Sequence, residues 1–309
     1  MRNQFHAGLS IVALGTLLAA CGEAAAPLGA PLHAPQFNIA SGPGLHGAIA
    51  FHRGATFDGD FEIYVMNADG SDVTQVTHND VNEFDPIWSP NGKQLAFGRC
   101  QATCDVVVIN ADGSGERVLI DNSFPGAWSP DGRRIAFRGA NGEVFVMNTD
   151  GTGVTQLTQG GGAPTAWSPS GRQIAFISFR DGDEEIYVMN ADGSGVIRLT
   201  NSPGRDEGDR AGWSPDGRRF LFSSDRDGGN LHLFVMNADG TGITQLTSGD
   251  FVDDDPVWSP DGQHIAFHST RDGDEEIFVM NADGSNPIQL TFNEGIFDAV
   301  PAWRALPLY

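Results

Sequence analysis

This 309-residue sequence predicts an all-β fold, a six-bladed β-propeller with four antiparallel strands per blade. Three observations carry the expectation. The motif WSPDG stands at residues 128–132 and returns at Trp213 and Trp258, with one change each at Trp88 (WSPNG) and Trp167 (WSPSG). A second marker, NADG, keeps time with it at Asn67, Asn110, Asn190, Asn237 and Asn281, and NTDG stands at Asn148. Aligned on Trp88, Trp128, Trp167, Trp213, Trp258 and Trp303, the chain repeats at spacings of 40, 39, 46, 45 and 45 residues, a period that signals a solenoid, propeller or array.

One unit, read from Asp255, is DPVWSPDGQHIAFHSTRDGDEEIFVMNADGSNPIQLT. Its first strand is PVW. The SPDG turn follows, with proline suited to an early turn position and glycine supplying a positive φ. HIAFH is the second strand and EIFVM the third; both are short, rich in Ile, Phe and Val, and bounded by turn residues. The NADG turn leads to the fourth strand, PIQLT. Neither apolar run is long enough for a helix, and four short strands per forty-odd residues describe a propeller blade. Each Trp is expected to pack between neighbouring blades, where truncating it costs about 3–5 kcal/mol.

The ends of the repeat suggest how the ring closes. Ala48-Ile49-Ala50-Phe51 matches a second strand but has no tryptophan-bearing first strand before it, whereas Pro301-Ala302-Trp303 is a first strand with nothing after it. Residues 302–304 are therefore expected to pair beside residues 49–51, which removes an open sheet edge.

WSPDG, IAF, S-x-RDGDEEIYVMNADG and QLT, recurring across residues 48–305, resemble the TolB-like (WD40-like, Asp- and Pro-rich) propeller family. The resemblance implies the fold strongly and the function weakly. TolB itself carries an additional α/β domain and works with a peptidoglycan-associated lipoprotein, and some related peptidases join this propeller to a hydrolase domain. The residues before Ala48 are too few for that α/β domain.

Residues 1–20 are of a different character: residues 7–20 are apolar or small apart from Ser10 and Thr16, which fits a signal-peptide core and is too short for a membrane span. They end in Leu18-Ala19-Ala20-Cys21, which resembles a bacterial lipobox and implies lipidation of Cys21; the alternative is a plain secretory signal. Residues 21–44 then form an Ala/Pro/Gly-rich tether and residues 45–309 the propeller. Losing Arg2 with the signal leaves 17 basic and 40 acidic side chains, a net of −23, which excludes nucleic acid and anionic lipid as partners and leaves the lipid as the only membrane contact.

Strand order places the SPDG and NADG turns on one face. The loops before each Trp share the other face with the RDGDEE-type loops, and that irregular loop face is where function is expected. Counting five residues back from each Trp gives Glu83, Ser123, Gly162, Gly208, Asp253 and Asp298, so the channel mouth should be acidic on one side, with Asp254 and Asp255 adding to it. These carboxylates either recognise a partner or cation, or cap backbone N–H groups at strand starts. On the first reading, replacing Asp253 and Asp298 by Asn weakens binding and leaves stability intact. Asp181, Asp183, Asp272 and Asp274 have the oxygen chemistry of a divalent-cation site such as calcium, without the full spacing of a calcium loop; the favoured alternative is a hairpin loop with solvated charges and an arginine–carboxylate pair at Arg180 and Arg271. His52 and His268 occupy equivalent positions in the first and sixth blades and, with Asp253 and Asp298, offer a candidate transition-metal site. Cys100 and Cys104 are expected to form a disulfide across a hairpin, with a metal or redox CxxxC pair as the alternative.

The sequence reads best as a non-enzymatic, lipid-anchored, monomeric propeller of the bacterial envelope, facing the periplasm or the cell surface, that binds a protein or envelope polymer through its acidic loop face and requires no cofactor. The alternative is a metal-assisted hydrolase or lyase acting on a glycan or small molecule at the channel mouth.

Overall fold

The computed structural model describes residues 45–55 and 60–304, without the side chains of residues 208–211. Cys21 and the signal and tether segments lie outside the described residues. The described chain forms six four-stranded antiparallel sheets, each one blade. The sixth blade shows the plan: Asp253–Trp258, His264–Ser269, Glu276–Asn281 and Ile288–Gln289 pair in that order. Strands two and three start where predicted and each runs one residue further, to Ser269 and Asn281. The first strand is longer than PVW, and the fourth shrinks to Ile288–Gln289, opposite Val279 and Phe278.

The ring closes as the sequence predicts. Phe297–Arg304 is the first strand of the first blade, beside Ala48–Gly54. Ile49 sits opposite Trp303, Ala50 opposite Ala302 and Ala48 opposite Arg304. The register shifts between Ala50 and His52, where the chain bulges at Val300. Equivalent bulges stand at Asp85 and Asp255, each, like Val300, with a positive φ immediately before a proline. A bulge re-aims the side chains that follow it, and here it separates the tryptophan end of each first strand from its loop-face end.

Burial explains the repeated tryptophan. Six apolar clusters lie between blades, and each contains one Trp packed on the preceding blade: Trp88 against Ile63 and Val76, Trp303 against Ile277 and Val279, Trp258 against Leu221 and Leu233. Trp88 and Trp167 also donate their indole N–H to the carbonyls of Ala302 and Ala127 in that preceding blade. The rest of WSPDG makes the turn. Gly132 has φ 69° and donates to the Ser129 carbonyl at 2.8 Å, while the Ser129 hydroxyl donates to Asp131 at 2.6 Å. In NADG the Asp does the equivalent work: Asp192 accepts from the Ser194 N–H and hydroxyl. These local bonds hold Asp131, Asp192 and their counterparts below the usual carboxylate range.

Candidate functional site

The loop face differs from the turn face in what its charges touch. Glu83, Asp253 and Asp298 are fully buried, and each is held by an arginine: Arg99 at 2.8 Å, Arg271 at 2.7 Å and Arg53 at 2.6 Å. They are therefore not free carboxylates on a binding surface. A fourth pair, Asp206 with Arg226 at 2.7 Å, occupies the fifth blade. Counting back from Trp213 pointed to Gly208 and missed it, because the first strand of that blade, Asp206–Trp213, carries two extra residues across a register shift between Glu207 and Gly212. The spacing of 46 was the available signal. The guanidinium of each pair lies over aromatic rings of its own blade, Arg226 over Phe222 and Phe234 at 5.0 Å each, Arg271 over Phe267 and Phe278 at 5.2 and 4.9 Å. Stacking and ion pairing together fix the loop-face end of each first strand.

A second, inner set surrounds the bulge. Asp254, Asp255 and His268 are buried, and one donor atom from each lies within 4.8 Å of the others. His268 Nδ1 is 3.3 Å from Asp255; one blade on, His52 Nδ1 is 3.8 Å from Asp85. The two histidines each pair with a bulge aspartate, and among the described residues no three-donor group contains both. Asp253 and Asp298 face arginines instead, so the expected His52–His268–Asp253–Asp298 centre is not assembled. Of the RDGDEE loops, Asp272 and Asp274 gather with Glu276. Several of those oxygens accept protein hydrogen bonds, Asp274 from the Gly295 N–H and Glu276 from Thr291 and Asn293. Asp181 accepts from the Tyr187 hydroxyl at 2.6 Å, and Asp183 is exposed. Cys100 and Cys104 are joined by a disulfide across their hairpin.

Glu184 and Glu207, on adjacent blades, were not anticipated. They share a hydrogen bond at the edge of the inner set, with Arg205 at 3.0 Å from Glu207. Burial first, then the charge of Asp254 and the bond to Glu184, push the Glu207 carboxyl up to about 10, so it is the proton donor of the pair. Burial and the charge of Asp255 raise Asp254 to about 7. Burial opposes charge on His268, but the hydrogen bond and charge of Asp255 overcome it and carry the imidazole up to about 9.

These shifts set a pH dependence. Each group has a folded pKa above its unfolded value, so its contribution to stability is complete below the unfolded pKa and is lost as pH rises through the folded one. Glu207, Asp254 and His268 thus all weaken the fold on going from about pH 5 to about pH 10. The turn aspartates are shifted down and act oppositely, losing their contribution below about pH 4. The melting temperature is expected to peak in mildly acidic buffer and fall through the alkaline range, and the fall should be shallower in Glu207→Gln. Thermal melts across that range check it; an equally steep fall in the variant removes Glu207 as the cause.

A model of the family described as the TolB beta propeller domain matches residues 101–230 and 210–305. The chain belongs to this TolB propeller family. Among solved structures, this TolB-family propeller is similar to TolB from Acinetobacter baumannii at 23% identity and TM-score 0.74, covering 84% of this chain and 67% of that one. It is similar to a putative TolB from Agrobacterium tumefaciens at 21% identity and TM-score 0.66, covering 86% and 100%. It also resembles a chain of a nidogen/laminin complex at 12% identity and TM-score 0.69, covering 84% and 99%. At these identities the likeness is one of fold.

Proposed function

We propose that this TolB-family propeller is a lipid-anchored, non-enzymatic protein of the bacterial envelope that binds a protein or envelope polymer through its loop face. The observation that carries this reading is the contrast between the faces. The turn face is built from the same short SPDG-type and NADG-type turns from blade to blade, with their aspartates engaged in their own turns. The loop face instead carries two exposed aromatics that equivalent positions of the other blades do not carry, Phe179 and Phe292, set among the exposed acids Asp60, Asp80, Asp183, Asp227, Asp250 and Glu294. Residues that vary from blade to blade are not needed to build a blade, and exposed aromatics among charges are the material of recognition surfaces. The lipobox resemblance at Cys21 supports the anchor.

The test is a pull-down from detergent-solubilised envelope with Cys21 intact. Replacing Phe179 and Phe292 by Ser is expected to abolish capture of the co-purifying component, while replacing Lys93 and Arg172 on the turn face is not. Loss only with the turn-face variant overturns the assignment of the face. Mass spectrometry of the mature N-terminus is expected to find Cys21 diacylated; a free thiol there removes the anchor from the reading.

A further inference from the structure

In the fifth and sixth blades the loop-face arginine is held in one frame. Arg226 and Arg271 donate Nε to Ser224 and Ser269 at 3.0 Å, and Nη2 to Asp206 and Asp253 at 2.7 Å. The fourth blade builds the same frame without the acid. Arg180 donates Nε to Ser178 at 3.2 Å and lies over Phe176 and Tyr187 at 4.8 and 4.9 Å, but Gly162 stands where Asp206 and Asp253 stand. Its Nη2 and the Ser178 hydroxyl both donate to the neutral Gly161 carbonyl, each at 3.0 Å, where Arg226 Nη2 and the Ser224 hydroxyl donate to Asp206. Among the described residues no carboxylate comes within 4.0 Å of Arg180. Glu143, whose charge reaches it, is committed to the Thr158 hydroxyl and the N–H groups of Gly160 and Gly161. One blade earlier on the same face, Arg138 also makes no ion pair among the described residues, and the charge of Glu184 reaches it only from beyond that distance. Gly160 and Gly161 leave open space beside Arg180, whereas the space at Gly162 is filled by Phe176 and Val144, so the chain could not place an aspartate there without a shift.

We infer that this sector of the mouth, Arg180 with Arg138 beside the three glycines, is a binding site for a carboxylate, which displaces the neutral Gly161 carbonyl from Arg180 and supplies the charge that Asp206 and Asp253 supply in the next two blades. A half-buried guanidinium stacked on two rings and held at Nε by Ser178 is pre-organised to donate Nη2 to a carboxylate oxygen, as Arg226 and Arg271 do, and loses little freedom on doing so. The net charge of −22 disfavours anions at long range, so binding rests on this short-range geometry and should discriminate sharply against ligands lacking the carboxylate. The site deepens the reading of the loop face as the recognition surface and rests on it for the identity of the occupant: an acidic side chain or a chain-terminal carboxylate.

The test follows the arginine Nε–Hε resonances of 15N-arginine-labelled protein at constant ionic strength. Two probes are titrated, N-acetyl-aspartate amide for a side chain and N-acetylglycine for a chain end, with N-acetyl-asparagine amide as the neutral control. The Arg180 resonance, assigned by its disappearance in Arg180→Met or, should that variant not fold, in Arg180→Lys, is expected to shift saturably with at least one carboxylate probe, with a Kd of about 1–10 mM. The tighter probe identifies the source. Arg180→Lys, which keeps the charge and loses the fork, is expected to weaken binding at least about tenfold. Shifts that never saturate, or that match those of the neutral control, overturn the site. The titration uses no partner, so a failed pull-down leaves it standing, and a failed titration leaves the anchored-binder reading standing.

Discussion

Deleting residues 297–309 is expected to unfold the propeller or drive it into aggregates, the largest effect of any change considered. The strand Phe297–Arg304 supplies the inner strand of the first blade, and Ala299, Val300, Ala302 and Trp303 within it are all buried. Losing it exposes Ala48–Gly54 as an unpaired inner edge and opens the clusters on both sides, because Trp303 packs against Ile277 and Val279 while Ala302 packs with Trp88 and Leu95. Trp303→Ala alone should cost about 3–5 kcal/mol. The whole strand adds several buried side chains and a ladder of backbone hydrogen bonds, which exceeds the roughly 5–15 kcal/mol stability of an ordinary domain or comes close to it. An exposed inner edge is also a template for pairing with a second copy. Circular dichroism and size-exclusion chromatography of the truncated protein check this. A monomeric truncation that melts like the full-length protein means the ring does not depend on its closing strand.

The fold could be read from the sequence because its determinants are local and recur. Ser129, Asp131 and Gly132 make a turn from contacts within five residues, and the same letters at Ser214, Asp216 and Gly217 make it again. Closure was legible for the same reason: a strand missing at one end of the repeat matched a strand left over at the other. The site was less legible because it depends on register across a bulge. Counting from the tryptophans holds only where the first strand has constant length, and the two extra residues before Trp213 moved Asp206 out of the count. Counting also shows which residues stand near the mouth without showing what they touch. Asp253 and Asp254 are neighbours in sequence, yet one faces Arg271 across the blade and the other enters the buried set with Asp255 and His268. The recurring Arg180, Arg226 and Arg271 carried the better signal: an arginine written into the same loop position of three blades calls for a carboxylate partner in each, which Arg226 and Arg271 have and Arg180 lacks among the described residues.

Removing one partner of the Arg53–Asp298 pair is expected to cost about 3–5 kcal/mol, where the sequence alone suggested that neutralising Asp298 would leave stability untouched. Asp298 is fully buried and accepts both guanidinium bonds at 2.6 Å, with one further bond from the Asn293 side chain at 2.9 Å. Arg53→Ala leaves that carboxylate in a site closed to water with only Asn293 to meet it, and it also removes the guanidinium from above Phe51 and Tyr64. Asp298→Asn is the milder change, about 1–3 kcal/mol, because the remaining Arg53 is partly exposed and can be hydrated. The pair joins Arg53 to its register partner on the closing strand, so the same substitution also loosens ring closure. Asp253→Asn should behave likewise, because Asp253 is as fully buried against Arg271. High salt separates the two roles: a buried pair is screened little, whereas recognition by surface carboxylates fades. Denaturant melts of Arg53→Ala, Asp298→Asn and Asp253→Asn at low and high salt decide between them. Unchanged stability in all three, together with lost partner capture that wild type shows only at low salt, returns these carboxylates to the binding surface; a salt-insensitive loss of stability with capture retained places them in the scaffold that holds that surface.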